Sequence, residues 1–228
     1  MSAYIANAKP YKGWGMEGAL AKWYAALTKK SLKDFRTLAR RTAEQIAPQS
    51  SVLEVAPGPG YFAIELAKLG EFQITGLDIS KTFVEIARAN AANANVRVDF
   101  RQGNASDMPF DPESFDFLLC RAAFKNFSEP KLALDEMYRV LRPSGQALII
   151  DLRRDASIES INQAVNDMDL SSTNGIITKL TFRFMLLKRA YTKGEFEELI
   201  SQTKFRRGEI RENLIGLEIL LSKDRPTS

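Results

Sequence analysis

Val52-Leu-Glu-Val-Ala-Pro-Gly-Pro-Gly-Tyr-Phe-Ala63 starts as a short apolar run, breaks into a glycine and proline turn, and reopens as a helical pattern. A buried strand that turns sharply into a helix marks the carboxyl edge of a parallel sheet, the place where such sheets bind ligands. Gly58 and Gly60 let the backbone come close to a ligand that side chains would exclude. Pro57 and Pro59 have no N–H, so the turn has few donors with which to cradle a pyrophosphate. Glu54 instead favours a ligand carrying an ammonium and a sulfonium, because opposite charges attract more strongly in a partly buried cleft than in water.

Strand and helix signals alternate on either side of this stretch from residue 31 to 152, the rhythm of a sheet with crossover helices. Ser31 with Asp34 reads as a capping box for a helix to Ala47, stopped by Pro48. Val52–Val55 is the first strand, Tyr61–Leu69 a helix closed by Gly70, and Phe72–Leu77 the second strand, ending at Asp78. Ser80 caps a helix to Ala92, and strands follow at Val96–Phe100 and Phe115–Cys120. A helix over Ser128–Leu141, with Pro130 in its first turn, leads to a strand at Ala147–Leu152. Thr192 with Glu195 caps a helix to Gln202, and Lys204–Arg211 and Leu214–Leu221 pair as an antiparallel hairpin.

The expected division is a single domain over 1–228: an N-terminal lid helix in 1–30, a core over 31–154, a lid insertion over 155–191, and a C-terminal helix and hairpin over 192–228. Trp14, Met16, Leu20, Trp23, Tyr24 and Leu27 form an aromatic stripe on the first helix. Trp23 and Tyr24, with Phe182, Phe184, Met185 and Tyr191, are candidate walls of a pocket, or ordinary core.

Composition narrows the chemistry. The 228 residues are 45% hydrophobic and 26% charged, globular values, with no run long enough to cross a bilayer. Residues 1–15 lack the apolar stretch of a secretory signal, and Cys120 is the lone cysteine, so a soluble cytoplasmic protein is expected. With no histidine, a zinc or iron site is disfavoured, and Ser-His and Cys-His nucleophile pairs are excluded. A net charge of +4 hints at an anionic substrate but is too small for a nucleic-acid binder, and no nucleic-acid partner is expected.

Asp78 stands 18 positions beyond Gly60 at the end of the second strand, where a carboxylate accepts the hydroxyls of a ribose or caps the next helix. In Gly103-Asn-Ala-Ser-Asp-Met-Pro-Phe110, Asn104 can bond an adenine edge, with Ala105 leaving room and Met108 packing nearby. Together with Glu54–Gly60, Gly76-Leu-Asp-Ile-Ser80, Ser114–Cys120 and Glu136-Met-Tyr-Arg-Val-Leu-Arg-Pro-Ser-Gly145, these motifs resemble a class I S-adenosyl-L-methionine-dependent methyltransferase over about residues 31–222. The likeness is to the small-molecule branch, similar to the ubiquinone/menaquinone-biosynthesis methyltransferases. It implies an α/β, Rossmann-like three-layer sandwich, with a seven-stranded, mostly parallel sheet and an antiparallel last strand.

The resemblance assigns Glu54, Ala56, Gly58 and Gly60 to the methionine end of S-adenosyl-L-methionine, Asp78 to its ribose, Ile79 to an adenine face, and Asn104 and Ala105 to the adenine rim. The family usually has glycine at position 56 and aspartate at 104. Alanine is tolerated at 56 on the expectation that its φ stays negative. Where many relatives carry histidines facing the acceptor, this chain has Lys125 and Asn126. Arg121 and Lys125 would place positive charge beside the transferred methyl group and favour an acceptor arriving as a phenolate, enolate or carboxylate. The bland alternative sends both to solvent or to Glu129.

Candidate bases are Tyr24, Asp151 and Tyr191; Asp151 alone is too few acids for a magnesium site, and no metal is expected. The expected reaction is in-line methyl transfer to a small acceptor. Two alternatives stand beside it: a catalytically silent cofactor-binding protein, or one docking on a membrane or partner through Phe182–Arg189, and an NAD-dependent dehydrogenase, since Gly58–Ala63 formally fits the dinucleotide fingerprint. The sequence leaves the oligomeric state open.

Overall fold

The structure is a computed structural model that describes residues 11–12, 15–166 and 187–225. Its centre is β1 (Ser51–Val55), buried at all five positions as a strand covered on both faces must be. Val52 and Leu53, pointing to opposite faces, enter two separate cores. On one face, helices α2 (Leu32–Gln45), α3 (Tyr61–Ala67) and α4 (Lys81–Asn93) pack Leu38, Phe62 and Val84 against the sheet. The other face is covered by α5 (Pro130–Val140) and α7 (Lys193–Ser201) through Leu134, Met137 and Phe196. Helices α1 (Gly18–Thr28) and α6 (Ile158–Asn166) complete the described set.

The strands are β2 (Gln73–Asp78), β3 (Asp99–Gln102), β4 (Phe115–Arg121), β5 (Leu141–Leu152), β6 (Glu209–Glu212) and β7 (Gly216–Ser222). They form one seven-stranded sheet in the order β3-β2-β1-β4-β5-β7-β6, with β7 antiparallel to both neighbours and the other pairs parallel. This is the expected Rossmann-like sandwich. The chain moves outward from β1 in one direction to β2 and β3, then returns to β4 on its other side, which opens a crevice at the carboxyl ends of β1 and β4.

Several boundaries differ from the sequence reading. Ser31 makes no side-chain cap, because α1 runs through a 3₁₀ turn at Lys29–Ser31 directly into α2 and leaves Ser31 at φ −92°, ψ 20° instead of extended. The hairpin's first strand begins at Glu209 and not at Lys204, since Phe205 is buried in the core after α7 and Arg206 takes a positive φ. The aromatic stripe of α1 is split: Ala21 and Ala25 are the buried positions and Tyr24 turns inward onto Phe83, while Leu20, Trp23 and Leu27 are exposed. Trp14, Phe182, Phe184 and Met185 lie outside the described residues.

Phe100 of β3 ties the strand order to the ligand loop. A Cβ at Gly76 would lie 2.4 Å from its ring, and one at Gly60 would lie 2.6 Å from it, so both glycines make room for the phenyl group. Gly76→Ala is expected to lose about 1–3 kcal/mol by overpacking, read as a lower midpoint in chemical denaturation.

Candidate active site

Three acidic or basic strand ends meet at the crevice. Glu54 sits within β1 and is 3% exposed. Its Oε2 accepts the Ala63 N–H at 3.1 Å, one of the free donors in the first turn of α3. Burial pushes the Glu54 carboxyl up to about 8; the Ala63 N–H and Arg121 oppose this, and Asp78 reinforces it. Asp78 ends β2, with Oδ2 accepting Gly58 N–H at 2.9 Å and Oδ1 accepting Ser80 N–H at 2.9 Å. Burial likewise raises it, to about 6, against those backbone hydrogen bonds. The helix-capping role falls to Ser80, whose Oγ accepts Phe83 N–H.

Asp78 therefore holds the glycine loop in shape. Gly58 and Gly60 have φ of +55° and +78°. Ala56 has φ +55°, which corrects the expectation that it stays negative there. Its N–H donates to Leu77 O at 2.8 Å, so the β1–β2 ladder continues into the turn and fixes this left-handed residue. Such a conformation costs a non-glycine residue about 1–2 kcal/mol.

Asn104 uses its Oδ1 to accept Ser106 N–H at 3.0 Å in an Asx turn, with Ala105 buried beside it. Ile79 is half-buried, and its carbonyl accepts from Gln102 Nε2. Arg121, half-buried at the end of β4, lays its guanidinium 4.5 Å from the Phe35 ring centre. Among the described residues it forms no ion pair. Tyr24 reaches over from α1, edge-on to Phe83 at 5.9 Å; burial raises its phenol above the usual range, with Arg121 opposing and Asp151 adding. The Tyr61 hydroxyl, donating to Ala25 O at 2.9 Å, pins α1 down.

Lys125 and Asp151 are not free groups facing an acceptor. Lys125 is 4% exposed, and its Nζ donates to Asp151 Oδ1 at 2.8 Å and to Ala122 O at 2.7 Å. Asp151 also accepts the N–H groups of Lys125 and Leu152. The pair thus braces the turn after Arg121, where Ala122 has φ +58°. Tyr191 lies against Phe124 and Phe196, and its hydroxyl accepts from Lys12 Nζ at 3.4 Å.

Three participants were invisible in the sequence. Phe35 reads there as plain core, yet it supports Arg121. Phe83, a core position on α4, receives Tyr24. Glu17 caps α4 from outside, accepting Lys81 and Thr82 N–H at 2.9 and 3.0 Å, while Ser80 Oγ donates to Met16 O at 2.6 Å. Lys12 N–H donates to Asn126 O on the far side of the crevice, so the described residues of the N-terminal strap, Lys12, Met16 and Glu17, touch both of its banks.

The acceptor set suits a nucleoside that carries an amino-acid ammonium group. Among the described residues Glu54 accepts one N–H and Asp78 two, whereas a carboxylate accepts about four hydrogen bonds. Capacity for an ammonium and for ribose hydroxyls is left over.

Residues 53–149 match the family model described as a methyltransferase domain. The sheet order and the crevice agree with that match, and the chain is similar in both respects to class I, S-adenosyl-L-methionine-dependent methyltransferases. Its similarity is to demethylmenaquinone methyltransferases. The one from Porphyromonas gingivalis is 36% identical over 127 residues, 54% of this chain and 51% of that protein. The one from Chlorobaculum tepidum is 29% identical over 167 residues, 71% of this chain and 67% of that protein. The chain thus spans about half the length of the first and two thirds of the second. A Methanococcus maripaludis structure, described as a candidate S-adenosyl-L-methionine-dependent methyltransferase, shares the fold with a TM-score of 0.78 at 21% identity, covering 95% of this chain and 97% of that one.

Ala56→Gly should gain about 1 kcal/mol by relieving the left-handed alanine, measured as a raised denaturation midpoint. Asp151→Ala should cost about 3–5 kcal/mol, because it strands a buried ammonium, and Lys125→Met in the same chain should recover most of the loss.

Proposed function

We propose that the protein transfers a methyl group from S-adenosyl-L-methionine to a small aromatic or anionic organic acceptor. The observation that carries this reading is the pair of incompletely hydrogen-bonded, buried carboxylates at the ends of β1 and β2, facing across the switch point a cation, Arg121, that has no ion-pair partner among the described residues. When bound, S-adenosyl-L-methionine supplies a methyl group made electrophilic by its positive sulfur.

The chain's own task is to hold and to exclude. Glu54 would take the ammonium of the cofactor, Asp78 its ribose, and Ile79, Asn104 and Ala105 the purine. Asn104 Oδ1 accepts from Ser106, which leaves its Nδ2 donors and the second lone pair of Oδ1 for the purine. Arg121 would hold the acceptor as an anion, which lowers the need for a base. Tyr24, its phenol pushed upward, serves as a donor and a wall and not as a base. Lys125 and Asp151 act through the turn that carries Arg121. The strap and α1 would form the lid that keeps water from the transfer.

An acceptor of the quinol or phenol kind fits both Arg121 and the names of the relatives. Calorimetry with the cofactor, followed by transfer of labelled methyl to a panel of hydroquinones, phenols and carboxylic acids, tests the reading. Methylation of a quinol or phenol that is lost in Arg121→Met supports it; tight cofactor binding with no transfer to any of them would show a silent binding protein instead. Binding of NAD with no response to the sulfonium compound would favour a dehydrogenase.

Glu54 also predicts a pH dependence. With its carboxyl at about 8 in the ligand-free protein, it is protonated at neutral pH and must lose that proton to hold an ammonium. Cofactor affinity should therefore rise with pH by up to about tenfold per unit as pH climbs towards about 8, with proton release detectable by calorimetry in buffers of different ionisation enthalpy. Glu54→Gln should bind about tenfold more weakly or worse at pH ~8 and lose that slope.

A further inference from the structure

The outward face of α1 remains unexplained by the cleft. Its inner face is committed: Ala21 and Ala25 are buried, Tyr24 meets Phe83, and Ala25 O accepts the Tyr61 hydroxyl. On the opposite side Leu20, Trp23 and Leu27, spaced to share one face, are 37%, 61% and 46% exposed. An indole open to this degree beside two open leucines is unusual for a solvated helix, whose outer face is normally polar.

The helix and the turn after it carry side chains of one sign of charge. Between Gly18 and Lys33 the sequence has four lysines, Lys22, Lys29, Lys30 and Lys33, and no acid. All four are exposed. Glu17, just before the helix, is spent on capping α4. Four lysines around an apolar stripe can let their alkyl stems follow the stripe into an interface while the ammonium groups stay at its polar boundary.

We propose that the outer face of α1 docks the protein on an anionic lipid bilayer, with Trp23 as the inserted anchor. A second copy of the chain fits this surface poorly. Self-pairing would set four lysines against four, and three side chains on an 11-residue helix cannot supply the ~1,200 Å² that a specific protein interface buries. A reversible lipid contact needs less apolar area and draws on the lysines instead of opposing them. The surface is separate from Phe182–Arg189, and it places the crevice mouth, beside the inner face of the same helix, close to the headgroups. It stands independently of the acceptor, since cofactor binding and methyl transfer are measured without lipid.

The test uses the full chain with Trp14→Phe, which leaves Trp23 as the reporter, and vesicles of phosphatidylcholine alone or with about a third phosphatidylglycerol. Expected are co-sedimentation with the anionic vesicles only, its loss at high salt, and a blue shift of Trp23 emission on binding. In the unmodified chain, Trp23→Ser and, separately, Lys22→Glu with Lys30→Glu should each weaken vesicle binding by about tenfold or more. Thermal unfolding and cofactor affinity should not change, because these side chains are exposed and outside the cleft. Three results overturn the proposal: no anionic-vesicle binding, or binding indifferent to these substitutions; Trp23 emission already blue and quencher-protected in the lipid-free monomer, which would mean the chain covers the face itself; or a dimer that Trp23→Ser disperses.

Discussion

Nearly dry carboxylates at the open edge of a parallel sheet organise this molecule. An acid taken out of water is costly unless backbone donors or a cation compensate it. Asp78 meets that cost with Gly58 and Ser80, and so decides the path of both the β1–α3 loop and the β2–α4 turn. Glu54 meets it in part with Ala63, and so decides how α3 sits on β1. Loop shape and site electrostatics are thus a single interaction seen from two sides. The glycines follow from it: a loop drawn in towards Asp78 must pass through positive φ at 58 and 60.

The crevice is polarised as a consequence. On the β5 side Asp151 is neutralised by Lys125 and consumed by three further constraints, the two backbone N–H groups it accepts and the Ala122 carbonyl its partner holds. On the β1–β2 side two carboxylates have donors but no cation, and between the two sides stands Arg121 on an aromatic ring. The field therefore draws the positive end of a ligand towards Glu54 and Asp78 and an anion towards Arg121. The mutual electrostatic influence of Arg121 on Glu54 and Tyr24 means that filling either half of the crevice changes the field in the other.

What the sequence revealed were features encoded over a few residues. β1 showed as an apolar run, Ser80 as a cap, and Thr192 with Glu195 as a capping box that forms in full. Ser31 and Asp34 carry the same local signal and fail, because the helix before them leaves no extended residue to do the capping. Lys125 looked like a free cation because its partner lies 26 residues away, beyond what spacing can reveal. Ala56 looked acceptable at negative φ because nothing in its neighbours announces the bond to Leu77 O that forces the turn. Pattern reading singled out the carboxylates of the candidate site; only the fold showed which of them were already paired.

Helix α1 shows the same limit in reverse. Periodicity grouped Leu20, Trp23, Tyr24 and Leu27 as one stripe, but two alanines compete with a tryptophan and two leucines for the core, and Tyr24 goes inward with the alanines. The alanines win because a small face lets the helix lie close enough for Ala25 O to reach Tyr61 and for Tyr24 to reach Phe83. Close approach of the backbone thus outweighs the larger hydrophobic area that the other face would bury. Keeping Trp23 exposed is the consequence, so the helix that lays Tyr24 on Phe83 also presents Leu20, Trp23 and Leu27 outward.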